Sequence, residues 1–484
     1  MNILMVSSEV FPYAKSGGLA DVLPKLAEAL DKRGHRVKIV MPRYYGITRY
    51  LLDKHPAPLG IPMGDQEYWV GVYSTLIPGT RVEVYFLDHE QLFGRDGIYS
   101  EAGGPEFPDN VLRFGLLSRG AFQLAKMLNW FPDILQAHDW PAAPALAYLK
   151  SLESAGPFRK TKGVFTIHNL GYQGIFSQDQ FKYLGLDPSD ETRLGFSYHG
   201  GINFLQAALV CAHGISTVSP GYGEEILQPE LGFAMDGLLN LKKNVLAGIL
   251  NGMDYDIWNP KTDQLLPFLY DENNLEGKAK NKAALQELAG FSQTPGVPLI
   301  GMVSRLVTQK GFAHLVENDG EALRKICALP AQIIILGTGE KHIEKKLSDL
   351  ALELPHLQVF IRYNEKTSHL IEAGSDFFLM PSLYEPCGLT QMYALSYGTI
   401  PIVSPTGGLK DTVVDRGKNP KTATGYYFPI PLTGTGMVET LAKATKVYRL
   451  QPKVHRAMIL RGMALRFDWE SAGRHYEEYF LSLP

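Results

Sequence analysis

The 484-residue sequence predicts an α/β protein made of two βαβ halves, each with its own open, mostly parallel sheet. Three observations carry that expectation. Short apolar runs recur along the chain, each followed by a turn and an amphipathic stretch, which is the order of βαβ units. Several of these runs are apolar at nearly every position, as strands covered on both faces must be. The pattern then stops near the middle of the chain and restarts. A chain of this length is too long for one ordinary core, so two or three domains are expected.

In the first half, strands are predicted at 3–6, 37–41, 82–87, 134–137, 164–167 and 215–218. A helix is predicted at 21–33, because Val22, Leu23, Leu26 and Leu30 recur at helical spacing. Pro24 suits a first turn, where a missing N–H does no harm, and Gly34 ends the helix. The second half restarts with strands at 299–303, 333–336, 359–361, 376–380 and 400–403, with helix-like segments between them, one at 391–397. The joint falls near Leu250-Asn251-Gly252, giving domains at 1–250 and 251–465. Residues 258–274, rich in Pro, Asp and Asn, predict a loop. The last segment, 469–483, predicts a helix with Tyr476, Tyr479 and Phe480 on one face.

The composition, 45% hydrophobic and 20% charged, is that of a soluble globular protein. A net charge of -3 gives no reason to expect nucleic acid or an anionic membrane as partner. Cys211, Cys327 and Cys387 are scattered without metal-ligand spacing, and so sparse a set fits a reducing compartment. No secretory signal is visible, and no apolar run approaches the ~20 residues of a membrane span. The expected location is the cytoplasm, with a plastid protein freed of its transit peptide as the alternative.

The most informative stretch is Tyr384-Glu385-Pro386-Cys387-Gly388-Leu389-Thr390-Gln391. It joins a predicted buried strand to a predicted helix, so unpaired backbone N–H groups collect there as a phosphate cradle. A carboxylate beside such a cradle is placed to hold sugar hydroxyls, which suggests a nucleotide-sugar site. The competing reading is an ordinary turn at a sheet edge. Lys15-Ser16-Gly17-Gly18-Leu19 follows the first strand and precedes the first helix. Its glycines allow close approach of a ligand, and Lys15 adds a mobile cation, although a flexible turn with a solvated lysine is as simple. Arg305 and Lys310 follow the first strand of the second half, at the carboxyl edge where open sheets bind ligands. His138-Asp139 and His168-Asn169 each follow a strand. A single such His is more often structural than functional, but two on the same edge weaken that reading.

Two patterns point the other way. Asp254-Tyr255-Asp256 matches a metal-holding Asp-x-Asp, yet it falls at the joint and so short a pattern arises by chance, so no metal is expected. Gly337-Thr338-Gly339 is a weak dinucleotide signal because His342 stands where the third glycine belongs. There is no Walker A motif and no zinc pattern.

In their order and spacing these motifs resemble the bacterial and plastid glycogen/starch synthase family. The resemblance runs from Ser8-Glu9, Pro12 and Lys15-Ser16-Gly17-Gly18-Leu19-Ala20-Asp21-Val22 through His138-Asp139-Trp140 and Thr166-Ile167-His168-Asn169. It continues with Gly201-Ile202-Asn203-Phe204-Leu205 and Gly248-Ile249-Leu250-Asn251-Gly252. In the second half it includes Ser304-Arg305-Leu306, Gln309-Lys310-Gly311 and Glu385 to Gln391. It implies the GT-B fold, two Rossmann-like domains facing a deep interdomain cleft. The first domain, rejoined by a final helix at about 466–484, would serve the acceptor, and the second the donor. It implies transfer of glucose from ADP-glucose to the nonreducing end of an α-1,4-glucan, with retention of configuration and without a metal or other cofactor.

By position, Arg305 and Lys310 would neutralise the departing diphosphate. Gly17, Gly18 and the Leu389-Thr390 backbone would line the same phosphates, with Lys15 beside them. Glu385 and His168 would hold glucose hydroxyls, Asp139 and Asn251 would position the sugar, and Tyr363 would lie against the adenine. No nucleophile is evident beyond these carboxylates, so front-face attack is expected, with the leaving phosphate taking the acceptor's proton. The chain departs from the family at Gln206, where many relatives have Lys, and at Tyr393, where related transferases have a second Glu. Two other readings remain at this stage: a different two-Rossmann enzyme, such as a sucrose-type synthase or an epimerase, and a catalytically silent nucleotide-sugar or glycan binder. The intact Lys15, His168, Arg305, Lys310 and Glu385 argue against silence.

Overall fold

The computed structural model describes residues 1–101 and 104–484. The chain divides into two compact units, one of Met1–Gly252 with Trp469–Pro484 and one of Met253–Asp468.

The first unit is built on a sheet whose seven parallel strands run, from one edge, Leu246–Gly248, Gly214–Thr217, Lys162–Ile167, Ile134–His138, Asn2–Val6, Arg36–Pro42 and Glu83–Asp88. Counted from the opposite edge, the chain order is 3-2-1-4-5-6-7, so the winding reverses between Asn2–Val6 and Ile134–His138. Ile3, Leu4, Met5 and Val6 are all buried, which explains an unbroken apolar run in place of alternation. Beyond Glu83–Asp88 the sheet turns antiparallel through Gln66–Leu76, with Leu59–Met63 and Asp53–Lys54 paired to it. These edge strands escape a search for apolar runs. Val70 and Val72 are buried while Gly71 between them is partly exposed and Trp69 before them is exposed, the period-2 pattern of a half-covered sheet. A small antiparallel sheet, Ile175–Ser177 with Gly201–Asn203 and Ser197–Tyr198, completes the unit.

The first helix, Gly18–Lys32, begins three residues before the predicted start. Pro24 therefore lies inside the helix, not in its first turn. Residue 24 has no N–H to give the Ala20 carbonyl, and that carbonyl instead accepts the Phe11 N–H at 3.0 Å. The proline thus opens a bonding position that ties down the loop after the first strand. Gly34 follows the helix end with φ +90°.

The second unit holds a six-stranded parallel sheet in the order Leu357–Ile361, Gln332–Gly337, Leu299–Val303, Phe377–Met380, Ile400–Val403 and Tyr426–Tyr427. Its chain order, 3-2-1-4-5-6, reverses between Leu299–Val303 and Phe377–Met380. Open sheets of this kind bind ligands beyond the carboxyl ends of the strands at such a reversal. No helix or strand lies between 249 and 275, in keeping with the loop predicted there, but the segment is firmly held. Trp258 stacks on His369, and Asp263 Oδ2 accepts from Tyr397 Oη at 2.6 Å and lies 2.7 Å from His369 Nδ1. Among the described residues no helix is long and apolar enough to cross a membrane.

The final helix, Trp469–Ser482, belongs to the first unit. Tyr476 and Phe480 are 0% and 1% exposed, and Tyr479 Oη donates to the carbonyls of Ile215 and Val245 at 2.9 and 2.8 Å. Gly473 lets the helix approach Gly18–Lys32 closely, since a Cβ there would lie 2.9 Å from Ala29 Cβ. Phe480→Ala should therefore lower the stability of the first unit by about 3 kcal/mol in urea denaturation. An unchanged midpoint would mean that the helix is not part of that core.

Candidate active site

The loop after Asn2–Val6 is organised by Glu9, which is 3% exposed. Its carboxylate accepts the Ser16 N–H, the Ser16 hydroxyl at 2.7 Å, the Gly17 N–H at 3.2 Å and the Tyr99 hydroxyl at 2.6 Å. One buried carboxylate thus folds residues 10–17 back on the strand end. Gly17 therefore has its N–H committed to Glu9, while Gly18 opens the helix. A Cβ at either glycine would meet nothing within 4 Å, so the fold leaves open space over this turn. The Lys15 ammonium lies on Asp21 at 2.7 Å and 5.6 Å from the Phe11 ring. In the sequence Glu9 shows only as part of the family motif, a carboxylate three residues past the end of the first strand.

On the other side of the same reversal, Ile134–His138 ends at Asp139, whose φ of +55° is left-handed and costs a non-glycine residue roughly 1–2 kcal/mol. Asp139 Oδ1 accepts the N–H groups of His168 at 2.7 Å and Asn169 at 3.4 Å, which joins two adjacent strand ends. Burial, helped by the charge of Glu9, pushes the Asp139 carboxyl up to about 7 against the pull of those two N–H groups. His168 Nε2 lies 3.0 Å from His138 Nδ1. Burial drives His168 down to about 3 and His138 well below the usual histidine range, so the pair is neutral. Asp139 and His168 are therefore brought together. Asn251, after Leu246–Gly248, is buried, and its Oδ1 has no partner among the described residues.

In the second unit the loop after Leu299–Val303 carries Arg305, exposed, and Lys310, whose ammonium pairs directly with Glu385 Oε2. Ser382 Oγ donates to the same oxygen at 3.0 Å, and Glu385 is 5% exposed. The backbone around Glu385 is gripped from two sides. Leu383 N–H donates to the Gln309 carbonyl at 2.9 Å, and Gly311, with φ +78°, sits so close that a Cβ would lie 1.9 Å from the Pro381 carbonyl oxygen. From the other side Gly407 and Gly408 press on the Glu385 and Cys387 carbonyls, where either Cβ would lie 2.0 Å from oxygen. In the sequence the signal for Thr406-Gly407-Gly408 is a Gly-Gly pair that begins four residues past the end of the buried strand Ile400–Val403.

The Gly337-Thr338-Gly339 pattern has a structural cause. Leu306 N–H donates to Thr338 O and Glu340 N–H to Leu306 O, both at 2.9 Å, and a Cβ at Gly339 would lie 2.1 Å from Leu306 O. The glycine lets the Arg305 loop rest on its neighbour. Leu389 and Thr390 head the helix Thr390–Ser396, and Gln391 Nε2 steadies the turn before it by donating to Cys387 O and Gly388 O at 3.1 and 2.9 Å. Tyr363, just after Leu357–Ile361, is 74% exposed.

The departures have local explanations. Gln206 Nε2 donates to the carbonyls of Gly195 and Ser197 at 2.7 and 3.0 Å, bracing the small sheet. Tyr393 stacks on Trp258 at 3.9 Å and 4°, so the position of a second Glu is taken by a ring that packs on the 258–274 segment. Asp254 Oδ1 accepts the Asp256 N–H at 3.0 Å in a local turn. Among the described residues no group of three His, Cys, Asp or Glu could hold a metal ion.

Asp139 makes a pH prediction. Its carboxyl is neutral in the folded chain up to about pH 7 and ionised in the unfolded chain above about pH 4. It contributes stability below pH ~4 that is lost as pH rises through ~7. Asp139→Asn should flatten this limb of the stability–pH curve, and an unchanged limb would contradict the assignment.

Residues 2–241 match the starch synthase catalytic domain, and residues 290–453 match the group 1 glycosyl transferases. A glycogen synthase of Treponema denticola is 46% identical over 98% of this chain and 97% of its own length. A glycogen synthase of Geobacter metallireducens is 41% identical over 99% and 95%. The catalytic domain of starch synthase IV from Arabidopsis thaliana, solved with ADP and acarbose, superposes with a TM-score of 0.89 at 31% identity, covering 99% of this chain and 98% of that one. With near-complete coverage at this identity, the chain belongs to the glycogen/starch synthase family of GT-B glycosyltransferases.

Proposed function

We propose that the chain transfers glucose from ADP-glucose to the nonreducing end of an α-1,4-glucan with retention of configuration, acting in the cytoplasm. The observation that carries this reading is the Lys310–Glu385 pair at the strand-order reversal of the second unit, one turn from the helix headed by Leu389 and Thr390. An ammonium has three donors, so Lys310 can keep Glu385 in place and still take a phosphate oxygen. Arg305, exposed in the same loop, adds a second cation. As the glycosidic C–O bond breaks, negative charge grows on the diphosphate. Fixed cations and helix N–H groups lower the barrier most where that charge develops. No metal is needed for this, because Arg305 and Lys310 supply the positive charge.

Glu385 and His168 hold the glucose hydroxyls, Asp139 and Asn251 position the sugar, and Lys15 and Gly18 meet the phosphates from the first unit. Tyr363 supplies an exposed ring for the adenine. The acceptor hydroxyl attacks from the face that the diphosphate leaves, and its proton passes to the departing phosphate oxygen. The new bond is then on the same face as the old one. A glucosyl group trapped covalently on Asp139 or Glu385 would overturn this route.

Initial rates of labelled-glucose transfer from ADP-, UDP- and GDP-glucose onto one glucan primer test the reading. Chain growth is expected, fastest with ADP-glucose. Interconversion of the sugar without chain growth would favour an epimerase, and binding without turnover a silent regulator. Arg305→Ala and Lys310→Ala should each lower kcat about 10²–10³-fold; the exposed Arg305 variant should change stability little, while the Lys310 variant should also lose stability because it leaves the buried Glu385 without its cation. For Glu385→Ala the loss should fall on kcat and leave ADP affinity nearly intact. Wild-type turnover in the two cation variants would remove the phosphate clamp.

A further inference from the structure

His138 has no part in the chemistry just described, yet its ring is completely enclosed beside His168. The 3.0 Å contact between His138 Nδ1 and His168 Nε2 holds one proton, so one ring donates and the other accepts. The far end of His138 decides which. Its Nε2 is buried and has no partner among the described residues. If His138 accepted at Nδ1, its own proton would sit on Nε2 as a buried N–H with no acceptor. If His138 donates from Nδ1, Nε2 is only a bare lone pair. Orphaned buried N–H groups are the rarer of the two in folded proteins. His138 therefore donates, His168 accepts at Nε2, and the proton of the neutral His168 ring must be on Nδ1. His168 is only partly buried, and its Nδ1 makes no hydrogen bond among the described residues. The donor is what this ring offers outward. Its backbone is fixed as well, because the His168 N–H is held by Asp139 at 2.7 Å.

We propose that His138 is a positioning residue that locks His168 in its Nδ1–H tautomer, so that His168 meets the sugar as a hydrogen-bond donor. The kinetic consequence rests on the reading above, in which His168 contacts a glucose hydroxyl; the tautomer itself does not. A hydroxyl that must accept from His168 has its own proton directed to another acceptor, which fixes the rotation of that group. The same lock explains a fully buried histidine at the end of a central strand, where an apolar residue would fill the space without an unpaired nitrogen.

Two measurements test the proposal separately. Long-range ¹H–¹⁵N spectra of the full chain labelled with ¹⁵N-histidine, assigned with His138→Asn and His168→Gln, show which ring nitrogens carry protons. The expected result is protons on Nδ1 of both rings; a proton on His168 Nε2 would overturn the proposal whatever the activity. In ADP-glucose-to-glucan transfer, His138→Leu should lower kcat about 10–100-fold, by analogy with the loss when the hydrogen-bond partner that orients a metal-bound histidine is removed, with KM for the glucan unchanged. His138→Asn places an amide N–H near the former Nδ1 and should recover most of that loss. Equal kcat losses in the two variants would contradict the lock. A wild-type chain inactive on ADP-glucose would sink the functional reading and leave the spectra to decide the tautomer alone.

Discussion

The candidate site of the second unit depends on backbone packed against backbone. Gly311 approaches the Pro381 carbonyl, and Gly407 and Gly408 approach those of Glu385 and Cys387, at distances no side chain tolerates. The carboxylate of Glu385 is therefore placed by its main chain before any side-chain bond is made. Ser382 and Lys310 then select its rotamer. A site held this way reorganises little as charge develops, which is the condition under which fixed dipoles and cations lower a barrier.

The first unit reaches the same end with carboxylates. Glu9 gathers two backbone N–H groups and two hydroxyls, and Asp139 gathers the N–H groups of His168 and Asn169. Loops at a reversal of strand order have backbone donors with no ladder to join, and a buried carboxylate is a compact acceptor for several at once. The cost appears as the raised carboxyl of Asp139 and its left-handed backbone. Residues that a mechanism would claim for substrate are thus also structural pins, and their variants will report both roles.

The architecture was legible where chemistry is local. Buried parallel strands declare themselves as apolar runs, and the glycine turns and paired charges after them mark the functional edge. What stayed hidden depends on contacts distant in sequence. The antiparallel edge at Gln66–Leu76 buries Val70 and Val72 but exposes Trp69, and Gly71 breaks its apolar stretch. Pro24 misled because its vacant position is filled by Phe11, outside the helix. Gly337 and Gly339 look like part of a cofactor fingerprint but answer to the neighbouring loop at Ser304 and Leu306. Tyr393 looks like a lost carboxylate until Trp258, 135 positions earlier, is seen lying on it. The pairing of His138 with His168 across two strands has no sequence signature beyond two histidines that each end a strand.

The most direct test of the central claim is a crystal structure of the chain with ADP. The account predicts a phosphate oxygen within hydrogen-bond reach of Lys310 Nζ and of the Leu389 or Thr390 N–H, with Glu385 still held by Ser382. ADP bound elsewhere, with the Lys310–Glu385 pair and the Thr390 turn untouched, would contradict it.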